Sequence, residues 1–431
     1  MGVEIKRKIG RWIVWAAVAV WAGRVLAADG PGLAVAADTA SLTAGESLSL
    51  MADTGSSAAE PPSLTAQAAV MLDGETGRIL FGKNETAVLP MASTTKIMTC
   101  ILALENASLD DTVQVSSYAA SMPDVQLNIR SGETYRMEDL LYSLMLESHN
   151  DSAVAVAEHV AGPKEAFADM MNQKARDIVC TDTYFITPNG LDSTDEDTGK
   201  SHSTTAADLA KIMRYCIAVS PKKEEFLEIT RAPSHSFSNL DRSRSFSCIN
   251  HNALLTTMDG AVSGKTGFTN AAGYCYVGAV KKGEKLFVCA LLGCGWPPHK
   301  TYKWQDMRKL ITYGNENFDF YEILNEKVEI ADIAVVDGIE DSVGLEVSYP
   351  SNPSLKLLMS PSEPVTIKKK IRRELYAPVE AGTPAGQVDY YVGETLAASY
   401  PVVTTGRVGR WNPEFCAKTL LNRFLFCYNP Q

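Results

Sequence analysis

The spacing of apolar residues changes several times along the chain, and each change marks an element. Ala68-Ala69-Val70-Met71-Leu72 is a short apolar run, and Arg78-Ile79-Leu80-Phe81 is a second. The turn formers Asp73-Gly74-Glu75-Thr76-Gly77 lie between them, which predicts a β-hairpin. From Ser93 onward Ile97, Met98, Ile101, Leu102 and Leu104 recur at helical spacing. The pattern predicts further helices over residues 137–146 and 151–160. Residues 264–280 and 285–292 read as paired strands joined by Lys281-Lys282-Gly283-Glu284. Helices and antiparallel strands without regular βαβ alternation make an α+β class.

The texture changes after residue 326. Short β-like runs over 330–336, 344–348, 355–359, 365–368 and 388–392 are separated by turn formers and predict a small all-β sandwich. From Pro413 helical spacing returns, with Cys416, Ala417, Leu420, Leu421, Phe424, Cys427 and Tyr428 on one face. Lys418, Thr419, Asn422 and Arg423 lie mostly off that face, while Phe415, Leu425 and Phe426 break the pattern. A basic amphipathic end suits either a membrane interface or docking on the β domain.

The N-terminus reads as an export signal. Lys6, Arg7, Lys8 and Arg11 precede an apolar stretch over residues 12–23, too short to span a bilayer. Val25-Leu26-Ala27 offers a small-residue cleavage site. Residues 28–64, rich in Ala, Ser, Gly, Thr and Pro, form a flexible leader. The expected organisation is a signal peptide at 1–27, a leader at 28–64, a catalytic domain at 65–324, a β-sandwich at 325–408 and a tail at 409–431.

Length and composition fit this division. The 431 residues exceed one ordinary core. With 45% apolar and 21% charged residues the chain is an ordinary globular protein. A net charge of −11 excludes a nucleic-acid partner, which needs a basic face. The nine cysteines are an odd number, and several sit in apolar runs such as 286–292, so buried thiols are expected. No cysteine pair has zinc spacing with histidine partners, and the six histidines are scattered; no metal and no cofactor is expected.

Three short segments carry chemistry. Ser93-Thr94-Thr95-Lys96 opens an apolar-periodic helix, so Ser93 and Lys96 share a face one turn apart. A serine hydroxyl is a weak nucleophile until a base takes its proton, and a lysine is that base only when its pKa is lowered. Free amides at a helix N-terminus also stabilise an oxyanion. Read alone, the segment is better explained as an N-cap serine before a solvated lysine. Roughly one or two Ser-x-x-Lys matches arise by chance in a chain of this length. Ser220-Pro221-Lys222-Lys223 is read as one of those.

Ser148-His149-Asn150 falls between two predicted helices, where a loop presents Ser148 and Asn150 to a cleft or merely caps a helix. Lys265-Thr266-Gly267 begins a predicted strand whose edge accepts an extended peptide. Gly267 permits close backbone approach, and Lys265 with Thr266 suits a substrate carboxylate. As an ordered set the three segments describe a serine acyl-transfer site.

At these residues the chain resembles the serine D-alanyl-D-alanine carboxypeptidases, the low-molecular-weight penicillin-binding proteins, which carry Ser-x-x-Lys, Ser-x-Asn and Lys-Thr-Gly in this order. The resemblance extends through Pro90-Met91-Ala92-Ser93 and Gly264-Lys265-Thr266-Gly267-Phe268-Thr269-Asn270, with Asn189-Gly190-Leu191-Asp192 and His202-Ser203-Thr204 as further landmarks. It covers about residues 66–320 strongly. It implies a penicillin-binding, serine β-lactamase-like domain with an antiparallel sheet flanked by helices, followed by the β-sandwich.

The resemblance also implies roles. Ser93 is the nucleophile and Lys96 its base. The amides of Ser93 and Phe268 form the oxyanion hole. Ser148 passes the proton to departing D-alanine, Asn150 orients the acyl chain, and Lys265 with Thr266 holds the terminal carboxylate, with Gly267 and Phe268 completing the substrate-binding strand. The implied partners are a peptidoglycan stem peptide, β-lactams as inhibitors, and a membrane surface through the tail; the implied location is outside the cytoplasmic membrane. Two residues depart from the family pattern: His149 stands where glycine is common and Ser152 where alanine is common. A bulky His149 is expected to narrow the cleft or contact substrate. The alternatives are a serine β-lactamase, a peptidoglycan endopeptidase or a catalytically silent wall-binding protein.

Overall fold

The computed structural model describes residues 43–50, 60–324 and 328–426. The segment expected to be an export signal, most of the expected leader and residues 325–327 and 427–431 lie outside the described residues.

A five-stranded antiparallel sheet forms the spine of the larger domain. Its order is Ile79–Lys83, Ala68–Asp73, Lys285–Leu292, Gly273–Lys282, Ala261–Thr269. Both faces are covered, which explains why residues 68–72 and 286–292 are continuous apolar runs rather than alternating ones. Ala68, Val70 and Leu72 face the helical lobe, while Ala69 and Met71 face Met307, Leu310 and Ile311 of the helix Tyr302–Asn317. The hairpin at residues 68–83 forms as the turn formers predict.

The helical lobe is built round one helix, Lys96–Asn106, buried from Lys96 through Leu104. A single 3₁₀ turn, Ala92–Thr95, leads into it and carries Ser93. The predicted helices are present as Met137–Leu146 and Asn150–Ala161, packed on each other and on the central helix. Ala153, Ala155 and Ala157 keep the second of these slim enough to be buried on most sides. Between the two helices runs a three-residue connection, Glu147, Ser148 and His149.

The C-terminal region has its own core, closed between a five-stranded and a three-stranded sheet. Ile333, Val335 and Leu375 from the smaller sheet meet Ile367, Val388, Tyr390 and Val402 from the larger. Several strands lie where the runs predict, including Val365–Ile371 and Pro384–Val392. Thr395–Thr404 was not expected: of its ten residues only Val402 and Thr404 are buried, so most of it lacks a period-two signal. Within the leader, residues 43–50 form a strand antiparallel to Val365–Ile371. Ser47-Leu48-Ser49-Leu50 does alternate, but its partner lies some three hundred residues away and leaves no local mark.

The two regions are joined by Asp319–Glu322 pairing with Lys356–Met359. Arg78, close to the hairpin turn, pairs with Glu363 at 2.5 Å and also donates to the Leu358 carbonyl. All seven cysteines from Cys100 to Cys294 are buried and free, which matches the expectation of thiols acting as small apolar side chains; Cys416 is also free.

Candidate active site

The edge strand, the 3₁₀ turn and the three-residue connection converge on one cleft. Ala261–Thr269 is the outermost strand, so one of its edges is unpaired. It passes so close to Ser93 that a Cβ on Gly267 would lie 3.0 Å from both the Ser93 and Thr94 amides. The bare backbone of Gly267 is therefore what brings the Phe268 amide beside the turn Ala92–Thr95. The Phe268 side chain turns outward and lies 4.7 Å, ring to ring, from Tyr274.

Lys96 is wholly buried and is the hub of the site. Its Nζ donates to Ser93 Oγ at 3.0 Å, to Asn150 Oδ1 at 2.9 Å and to the Asn189 carbonyl at 2.5 Å. Three acceptors use its three protons when it is charged; when neutral, its lone pair faces one of them. Burial first, and then the charge of Lys265, push its pKa well below the ordinary lysine range, against a smaller opposing pull from Asp151. That is the condition under which a lysine serves as a base.

Lys265 lies on the edge strand, also buried. Its Nζ donates to Ser148 Oγ at 2.9 Å and to its neighbour's carbonyl, Thr266 O, at 3.0 Å. Burial lowers its pKa to about 7. Thr266 is half-buried beside it. Ser148 has a left-handed backbone, φ 69°, which costs a residue with a Cβ roughly 1 kcal/mol. The turn aims its hydroxyl at Lys265 while Asn150, two residues on, reaches Lys96 from the first turn of the next helix. Asn150 is held on its other side by bonds to the Pro123 and Val125 carbonyls.

Of the eight residues singled out from sequence, Ser93, Lys96 and Asn150 form one hydrogen-bonded group and Ser148 and Lys265 another, while Thr266, Gly267 and Phe268 continue the strand that carries Lys265 past Ser93. The second Ser-x-x-Lys does not join them. Ser220 Oγ donates to Glu105 at 2.6 Å, at the far end of the helix Lys96–Asn106, and Lys223 starts another helix.

His149 corrects one expectation. Its ring is buried rather than exposed in the site, with Nδ1 2.8 Å from Ser143 Oγ. The helix pair leaves a polar niche there that the ring fills.

Three contributors were given no role from sequence, although Asn189 and His202 stood out as landmarks. The Asn189 carbonyl anchors Lys96, and its turn needs Gly190: φ is 85°, and a Cβ there would lie 2.1 Å from the Ala92 carbonyl oxygen. The Asn-Gly dipeptide is a turn signal, but a backbone acceptor has no side-chain signature. Asp151 is buried and accepts from the Leu127 and Ile129 amides and from Ser152, which ties down the loop beneath Asn150. His202 bonds Thr95 Oγ1 through Nε2 and the Ile186 amide through Nδ1. Burial, then the charge of Lys96, lowers its pKa to about 3, so it is a neutral brace rather than a base.

Comparison with known proteins agrees with this geometry. A family model described as D-alanyl-D-alanine carboxypeptidase matches residues 55–294. The chain is 27% identical over 343 residues to the D-alanyl-D-alanine carboxypeptidase DacF of Bacillus subtilis, spanning 78% of this chain and 84% of that one. It is 29% identical over 378 residues to the D-alanyl-D-alanine carboxypeptidase DacD of Salmonella typhimurium, spanning 84% and 91%. Among solved structures, penicillin-binding protein 5 from Haemophilus influenzae aligns with a TM-score of 0.62 at 26% identity, over 82% of this chain and all of that one.

Proposed function

The chain belongs to the D-alanyl-D-alanine carboxypeptidase family, and on that premise we propose that its cleft removes the terminal D-alanine from peptidoglycan stem pentapeptides through an acyl-enzyme on Ser93. The observation that carries the reading is the buried Lys96, bonded to Ser93 Oγ at 3.0 Å and electrostatically coupled to a second buried lysine.

The substrate's last residues lie along the free edge of Ala261–Thr269, with the terminal carboxylate on Lys265 and Thr266. Lys96 takes the hydroxyl proton as Ser93 Oγ attacks the scissile carbonyl. The Ser93 and Phe268 amides receive the developing oxyanion. As the C–N bond breaks, Ser148 delivers a proton to the leaving amine and is resupplied from Lys265 Nζ, 2.9 Å away. Asn150 orients the acyl chain. The proton that Lys96 took replaces the one given up by Lys265, so Lys96 is neutral again; it takes a proton from water as the water oxygen cleaves the ester, and gives that proton to Ser93 Oγ as the serine departs. A β-lactam presents a similar amide and carboxylate and acylates Ser93 in the same way.

Two carboxylates flanking Ser148 and Asn150 along the chain do not favour a β-lactamase. Glu147 is held by the Ile249 amide and by His251, and Asp151 by three backbone amides, so neither is placed to activate a hydrolytic water. An exported enzyme on the outer face of the membrane fits a peptidoglycan substrate. The exposed Leu420, Leu421 and Phe424 of the helix Pro413–Phe426 suit an interfacial contact there; among the described residues no helix is long and apolar enough to cross a membrane. Incubation with a pentapeptide ending in D-Ala-D-Ala is expected to release one free D-alanine per peptide. Cleavage of cross-linked dimers without D-alanine release would instead make it an endopeptidase.

A further inference from the structure

The two departures from the family pattern, His149 and Ser152, meet at a third side chain. Ser143 Oγ lies 2.8 Å from His149 Nδ1 and 2.7 Å from Ser152 Oγ, and all three residues are buried. Ser143 sits near the end of Met137–Leu146, and Ser152 in the first turn of Asn150–Ala161. The bridge therefore spans two helices across the connection that carries Ser148. Cys248, on the neighbouring strand Ser245–Ile249, lies against Ser143 and closes the niche from the side.

The connection needs such a tie. Ser148 holds a left-handed backbone that must be over-determined by its surroundings. On the outer side Glu147 is fastened to the Ile249 amide at 2.8 Å and to His251 at 2.6 Å. On the inner side only His149 stands between Ser148 and Asn150. A glycine at that position would leave the backbone free to turn; an anchored imidazole does not.

We infer that His149 is a positioning residue for the proposed reaction: its bond to Ser143, carried on to Ser152, fixes the backbone between Ser148 and Asn150 so that both side chains stay aimed into the cleft. This rests on the roles proposed for Ser148 and Asn150. His149 touches no reacting atom; it acts through its two neighbours.

The test is the second-order rate of acylation by a fluorescent penicillin, measured on the full chain beside its melting temperature. His149→Ala is expected to slow acylation roughly 10- to 100-fold, the scale of a small misplacement of reacting groups. Ser143→Ala produces a similar loss, and the double variant is no slower than the worse single one, because both remove one tie. His149→Asn puts an amide where Nδ1 stood and restores the rate to within about threefold of wild type. A folded His149→Ala protein acylating at the wild-type rate would overturn the inference. So would additive losses, or a His149→Asn variant as slow as the alanine one. If His149→Ala does not fold, Ser143→Ala acylating at the wild-type rate overturns it alone. Intact mass of the wild type separates the two claims: an unmodified Ser93 refutes the proposed function, whereas acylated wild type with an indifferent His149 refutes only this tie.

Discussion

A lysine takes a proton from serine only while it is itself neutral, and it binds a carboxylate only while it is charged; in the proposed reaction Lys96 has the first task and Lys265 the second. Burial and the charge of Lys265 lower the Lys96 pKa, so its base form disappears as the pH falls through that depressed value. Lys265 titrates near 7, so its charge is present below that pH and is lost as the pH rises. kcat/KM reports the free enzyme, and its pH profile is expected to be a bell with the alkaline limb close to 7. A value that keeps climbing well above pH 7 would contradict the assignment of Lys265. At this scale the sequence was highly legible where chemistry lives on side chains, since Ser93, Lys96, Ser148, Asn150 and Lys265 are recognisable by type and order. It was opaque for the Asn189 carbonyl, because every residue has one. It misled at His149, because a residue's name does not say to which side of a loop its ring turns.

At the scale of elements the site depends on how loops are held against helices. The helix Asn150–Ala161 starts beside the cleft, and Asp151 in its first turn binds the Leu127 and Ile129 amides at 3.0 and 3.2 Å. Replacing a buried acceptor so that its donors are left unpaired costs about 1–3 kcal/mol. Asp151→Asn is expected to lower stability by about that amount in urea denaturation and to slow acylation, since the loop it holds also positions Asn150; an unchanged midpoint would show the loop to be held by other bonds. Helical periodicity located Met137–Leu146 correctly because one strongly apolar face repeats through it. Strand pairing was less legible. The order of the central sheet brings residues 68–73 beside 285–292, a contact that local pattern cannot encode.

For the whole molecule, the two cores are linked by the Asp319–Glu322 to Lys356–Met359 pairing and by Arg78 with Glu363. The helix that follows the β domain exposes Leu420, Leu421 and Phe424. Removing residues 409–431 is expected to abolish co-sedimentation with liposomes while leaving D-alanine release intact; equal pelleting of the full and shortened chains would remove the tail from the account. That the tail is helical was legible in its spacing, but not whether its apolar face is covered, which depends on what lies beside it in space. The central claim, an acyl-enzyme on Ser93 prepared by a neutral Lys96, is tested most directly by mass spectrometry of the protein after reaction with a β-lactam. The account predicts one antibiotic mass added per chain, carried on the peptide containing Ser93 and absent from Ser93→Ala. Label persisting in Ser93→Ala, or carried on another residue, would contradict it.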